Sequence, residues 1–156
     1  MKNLFNIRVY GILVNEANQV LLSDERKDGF EFTKFLGGGL EYGEGRLDGL
    51  VREFQEECQL AIEVVRHVHT TEEFVRSAFN GSQVIAVHYI VSAQGEPRGH
   101  FADRPFGFAN DQDDAQAFRW VSLSGFRVDE LTFGIDRAAW QRFIAEHKGG
   151  RANASL

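Results

Sequence analysis

Residues 37–60 read GGGLEYGEGRLDGLVREFQEECQL. Five of the first nine are glycine, which predicts a loop that needs unusual backbone angles or the close approach of a ligand. From Arg46 the pattern changes. Leu47, Leu50, Val51, Phe54 and Cys58 recur at i, i+3, i+4, i+7 and i+11, which predicts a helix over about 46–58 with an apolar stripe. Glu53, Glu56 and Glu57 centre about 120° away from that stripe at ~100° per residue. Glu53 and Glu57 are like charges at i,i+4, an arrangement that loses a few tenths of a kcal/mol. Carboxylates packed on one helix face repel unless a cation sits among them, and oxygen-only donors suit Mg²⁺. The plainer reading of such a run is a solvated charged face.

Outward from this stretch the chain is mostly strand. FNIRVYGILV (5–14) and VLLSDER (20–26) are rich in β-formers and flank the turn NEANQ, so they are expected to pair as a hairpin. KDGFEFTKFL (27–36) turns and then runs extended with alternating aromatics. AIEVVRHVHTTEEFV (61–75) reads as one or two strands, and SQVIAVHYIVSA (82–93) as a central buried strand. Residues 94–114 show no period, hold both prolines, and are read as a long functional or mobile loop. AFRWVSL (117–123) returns as a strand, and GIDRAAWQRFIAEHK (134–148) is a closing amphipathic helix. The order predicts an α/β/α sandwich with a mixed sheet, one domain over 1–148 and a flexible tail over 149–156.

The 156 residues are enough for one domain with a proper core, and 43% hydrophobic content is that of a globular chain. A net charge of −6 argues against wrapping nucleic-acid phosphates, though small phosphorylated ligands fit if a divalent cation supplies positive charge locally. Apolar runs are too short for a membrane span, and the N-terminus shows no apolar h-region or cleavage site. The single cysteine, Cys58, excludes an internal disulfide and fits a reducing cytoplasm.

Gly38, five residues, Glu44, seven residues, then Arg52-Glu53-Phe54-Gln55-Glu56-Glu57-Cys58-Gln59-Leu60 resembles the Nudix box. Gly38, Glu44, Arg52, Glu53, Glu56 and Glu57 all match that motif. Three positions depart from it: Gln59 stands for a glycine, Phe54 for a smaller aliphatic residue, and Leu36 where proline is common. The resemblance implies a Nudix-type fold and Mg²⁺-dependent hydrolysis of a pyrophosphate linkage in a nucleoside diphosphate derivative, with Mn²⁺ as the alternative ion. It implies metal held by Glu53, Glu56, Glu57 and a carbonyl of Gly37 or Gly38, with Arg52 orienting the acids and Glu44 anchoring the loop. By loop position, Asp114 is the expected extra ligand or general base, with Glu96 and Glu53 as alternatives. Homodimers are frequent in the family and one is expected here. The alternative is a catalytically silent Nudix-fold module that binds or senses a nucleotide.

Other residues carry weaker signals. Arg8, Arg26 and Lys34 could reach substrate phosphates beside Gly38 and Gly39, but single basic residues are as often plain surface charges. Phe101, Phe106 and Phe108 in the long loop either stack on a base or seal the loop or a dimer contact. His67 and His69 share a strand face and read as a structural pair, His88 as a core or groove histidine, and Cys58 as a packing residue.

Overall fold

The computed structural model describes residues 4–154, with side chains through residue 147. Among the described residues, seven strands and two long helices follow in the order β1 (Phe5–Leu13), β2 (Gln19–Lys27), β3 (Phe30–Lys34), β4 (Leu36–Gly39), α1 (Arg46–Cys58), β5 (Ile62–Thr70), β6 (Gln83–Ala93), β7 (Gln116–Ser122) and α2 (Gly134–Ala154). A short 3-10 turn, Val128–Glu130, precedes α2. The strands form two sheets. One is mixed, in the order β4-β1-β6-β5, with β1 parallel to β6 and antiparallel to β4. The other is antiparallel, in the order β3-β2-β7.

The alternation of β1 explains the layering. Val9 and Leu13 point to one core, with Leu50, Phe54 and Cys58 of α1. Tyr10 and Ile12 point to the other, with Trp140 and Phe143 of α2. A strand buried on both faces needs apolar residues at consecutive positions, and β1 supplies them. The expected α/β/α sandwich is what forms. β6 lies between β1 and β5, as its continuous apolar run predicts.

Several local expectations are corrected. β1 and β2 do not form a hairpin: a single bridge, Val14 to Val20, joins them before each enters a different sheet. Gly37–Gly39 do not belong to a loop but pair with β1 as part of β4, and the irregular segment starts at Leu40. The buried stripe of α1 is narrower than expected, with Leu47 49% and Val51 40% exposed. Phe54 sets this rotation, because it packs over Gly11, where a Cβ would stand 2.6 Å from its ring. Leu50, Phe54 and Cys58 at i, i+4, i+8 are the residues that bury. α2 runs beyond Lys148 to Ala154, and the last two residues of the expected tail lie outside the described residues.

Gln59 ends α1 in the left-handed region, at φ 53° and ψ 38°. Its N–H donates to the Gln55 carbonyl at 3.0 Å, and the Leu60 N–H donates to the Phe54 carbonyl at 3.4 Å. The helix therefore leaves through the turn that glycine usually makes. Inside the α2 core, His88 Nε2 and Asp136 Oδ1 lie 2.7 Å apart and tie β6 to the first turn of the helix. Among the described residues, no helix is long and apolar enough to cross a membrane.

Candidate active site

Arg52 organises the N-terminal side of the site. Its Nε and Nη2 donate to the two Glu44 oxygens at 2.9 and 2.7 Å, a two-pronged pair that suits a planar guanidinium. Nη1 donates to Glu53 and to Glu56, each at 3.0 Å, and Nη2 also donates to the Gly39 carbonyl at 3.1 Å. One side chain thus fixes β4, the segment after it, and two acids of α1. The Arg52 hydrogen bonds hold the Glu44 carboxyl down at about 2.

Lys34 organises the opposite side. Its ammonium is 3.0 Å from Glu25 and 3.5 Å from Glu57, and it donates to the carbonyls of Phe35 and Gly37, both at 3.2 Å. Burial alone would lower its pKa, but Glu57 and Glu25 reverse this and hold it above the usual lysine value. Glu57 accepts the Gly37 N–H at 3.1 Å. Its carboxyl is nevertheless raised, chiefly by burial, with the charges of Glu25 and Glu53 adding to the effect against Lys34. Gly38 permits the remaining contact: a Cβ there would lie 2.6 Å from the Glu53 carboxylate.

The donor set fits a hard divalent cation in kind. Glu53, Glu56, Glu57 and the glycine-strand carbonyls are all oxygens, and the burial of Glu57 among negative neighbours leaves charge for a cation to offset. Among the described residues, however, no group of three or more acids, histidines or cysteines is drawn together as ligands. Glu53 and Glu56 turn to Arg52, and Glu57 to Lys34.

A cavity of about 700 Å³, in the range that holds small ligands, opens beside this cluster. Asn6, Arg8 and Tyr10 of β1 reach it by period-two alternation, as do Phe32 and Lys34 of β3, and Glu25 of β2 joins them. Arg8 Nε donates to the Tyr10 hydroxyl at 2.5 Å. Residues 71–81 and the segment before α2 complete the wall, notably with Phe79 and Phe133.

The structure brings Lys34, Gly38, Gly39, Arg52, Glu53, Glu56 and Glu57 together, but not Arg26 or Asp114. Arg26 lies 3.8 Å from Glu31 and over the Phe108 ring, away from the cavity lining. Asp114 is exposed and does not line the cavity. Its neighbour Asp113 accepts the Asp28 and Gly29 N–H groups and so caps the β2–β3 turn. The long loop does not supply the aromatic wall. Phe101 packs on Phe118, and Phe106 on Phe108. Glu25, Phe79 and Phe133 escaped sequence reasoning. For Phe32 the alternation of β3 was a usable signal; for Glu25 nothing in its neighbourhood marked it. Cys58 is 1% exposed and burial pushes its thiol up to about 12, so it packs rather than reacts.

A family model described as NUDIX domain matches residues 4–140, most of the chain. Among solved structures, the E. coli ORF135 protein is similar at 21% identity and a TM-score of 0.68, over 90% of this chain and 89% of that one. A MutT NUDIX hydrolase from Burkholderia pseudomallei is similar at 20% identity and a TM-score of 0.68, over 89% of this chain and 98% of that one. The MutT protein from Methanosarcina mazei Go1 gives 19% identity and a TM-score of 0.67, over 95% and 99%. No curated protein matches the sequence. At these identities the structural likeness speaks for the fold.

Proposed function

We propose that this chain, which belongs to the NUDIX domain family, hydrolyses a pyrophosphate linkage in a nucleoside diphosphate derivative with the help of Mg²⁺ or Mn²⁺. The observation that carries the reading is Lys34, whose one ammonium joins Glu57 of the box helix to Glu25 of the cavity wall. That ammonium supports reading the acids and the cavity as parts of one site.

Glu53, Glu56, Glu57 and a carbonyl of Gly37 or Gly38 would hold the cation, which when bound polarises a phosphoryl oxygen and offsets developing charge. The protein's own groups do the positioning. Glu44 clamps Arg52, and Arg52 in turn fixes Glu53, Glu56 and the Gly39 carbonyl. Lys34 holds the Gly37 carbonyl and Glu57. Arg8 lines the cavity as a cation for substrate phosphate, while the Lys34 ammonium is taken up by Glu25, Glu57 and the Phe35 and Gly37 carbonyls. Glu53, held by Arg52 and lying against Gly38, is assigned as the base that takes a proton from water. Asp114 is exposed and outside the cavity lining, so the base is not assigned to it, and Asp114→Asn is expected to leave the rate unchanged.

The reading includes a homodimer in the cytoplasm acting on a small phosphorylated nucleotide-like substrate. A panel of nucleoside triphosphates, nucleotide sugars, ADP-ribose and dinucleoside polyphosphates tests it, by product release with Mg²⁺ and with a chelator. Mg²⁺-dependent release from at least one member is expected. A chain inert to the whole panel would be the silent binding module instead.

A further inference from the structure

Arg52, Lys34 and Arg8 stand among the box acids, and the first two have their donors committed. Arg52 donates from Nε, Nη1 and Nη2 to Glu44, Glu53, Glu56 and the Gly39 carbonyl. The Lys34 ammonium is shared by Glu25, Glu57 and two carbonyls. Arg8 differs. Its Nε donates to the Tyr10 hydroxyl, and among the described residues no acceptor takes Nη1 or Nη2. The guanidinium is half-buried in the cavity wall. Burial works against its charge, and Tyr10, Glu53 and Glu25 together outweigh burial. Nη1 lies along the glycine strand, 3.5 Å from where a Cβ on Gly39 would stand.

Tyr10 is a rigid support for that guanidinium. It is 3% exposed, and its ring stacks on His88 with centroids 4.9 Å apart. His88 is in turn held by Asp136 at 2.7 Å. Gly37 closes in from β4, where a Cβ would stand 2.9 Å from the Tyr10 ring. Arg8 and Tyr10 are two apart on one face of β1, so the hydroxyl meets the guanidinium with the strand straight. Packing in this core needs only the ring, which phenylalanine would also supply. With Nε taken, the fork keeps one open end, made of Nη1 and Nη2. That end matches two oxygens of one phosphoryl group.

We infer that Tyr10 is a positioning residue, whose hydroxyl fixes the Arg8 guanidinium so that Nη1 and Nη2 together meet two oxygens of one phosphoryl group of the substrate. The inference rests on the pyrophosphate reading above and names the pair of side chains that aims the substrate.

Calorimetric titration of the intact chain with methylenediphosphonate, with Mg²⁺ in excess, tests it. The carbon bridge of this ligand is not hydrolysed, so the titration reads binding alone. A failure here is thereby told apart from a failure of the hydrolase reading, which the nucleotide panel reads. Tyr10→Phe keeps the ring on His88 and removes only the hydroxyl. It is expected to weaken binding about fivefold, the scale of freeing one long side chain. Arg8→Met keeps the stem and removes the donors, and should weaken binding about tenfold or more. Adding Tyr10→Phe to Arg8→Met should change nothing further, because the hydroxyl then has no guanidinium to hold. A merely structural role for Tyr10 would instead give the same loss with and without Arg8. That result, equal binding by the wild type and either single variant, or no binding by the wild type would each overturn the inference.

Discussion

The Lys34 ammonium lies 3.5 Å from Glu57 Oε1, on the line between the box helix and the cavity. Both side chains are largely buried, at 7% and 16% exposure, so neither charge is well met by water. Removing the cation leaves Glu57 and Glu25 as partly buried carboxylates without their shared partner. Lys34→Met is therefore expected to lower the stability of the metal-free chain by about 3 kcal/mol, measured by urea denaturation. A loss within about 0.5 kcal/mol, the range of ordinary surface changes, would show that the pair is not coupled as described.

Glu44 gives a pH signature. Its folded carboxyl, held at about 2 by Arg52, lies below the ordinary value of 4.5. A depressed carboxylate adds stability that is fully present above the unfolded pKa and is lost as pH falls through the folded one. The stability difference between the wild type and Glu44→Gln should be constant above about pH 5 and should shrink between 4.5 and 2. Denaturation curves at a series of pH values read this directly; a difference that grows on acidification would contradict the pairing.

Gln59 pays a backbone penalty at φ 53°. An L-residue in the left-handed region costs roughly 1–2 kcal/mol, part of which glycine returns through its greater freedom when unfolded. Gln59→Gly is expected to raise stability by about 1 kcal/mol, read as a shift in the denaturation midpoint. Catalytic rate should not change, since Gln59 makes no contact with the box acids and its side chain meets Arg98 instead.

Residue spacing made the box legible as a motif; in the structure Gly38 lies beside Glu53, Arg52 meets Glu44, Glu53 and Glu56, and Glu57 turns to Lys34. Long-range partners were not legible. Glu25 reaches Lys34 only because β2 pairs with β3, and Phe79 reaches Phe32 only because residues 71–81 fold back to the sheet. The split of β1 and β2 into separate sheets was hidden for the same reason, since β1 prefers β4 and β6 to its sequence neighbour. Leu47 and Val51 suggested a wider stripe than forms because helical period alone does not fix rotation; the fit of Phe54 over Gly11 does.

The most direct measurement compares the wild type with Glu57→Gln for Mg²⁺-dependent hydrolysis of the best substrate from the nucleotide panel. Glu57 joins the helix acids to the cavity through Lys34 and accepts the Gly37 N–H. Glu57→Gln keeps the size of the side chain and removes its charge. The expected result is turnover by the wild type and a loss of about 100-fold or more in the variant, in the range typical for removing one group that stabilises transition-state charge. Equal rates for the two proteins would contradict the assignment of this site.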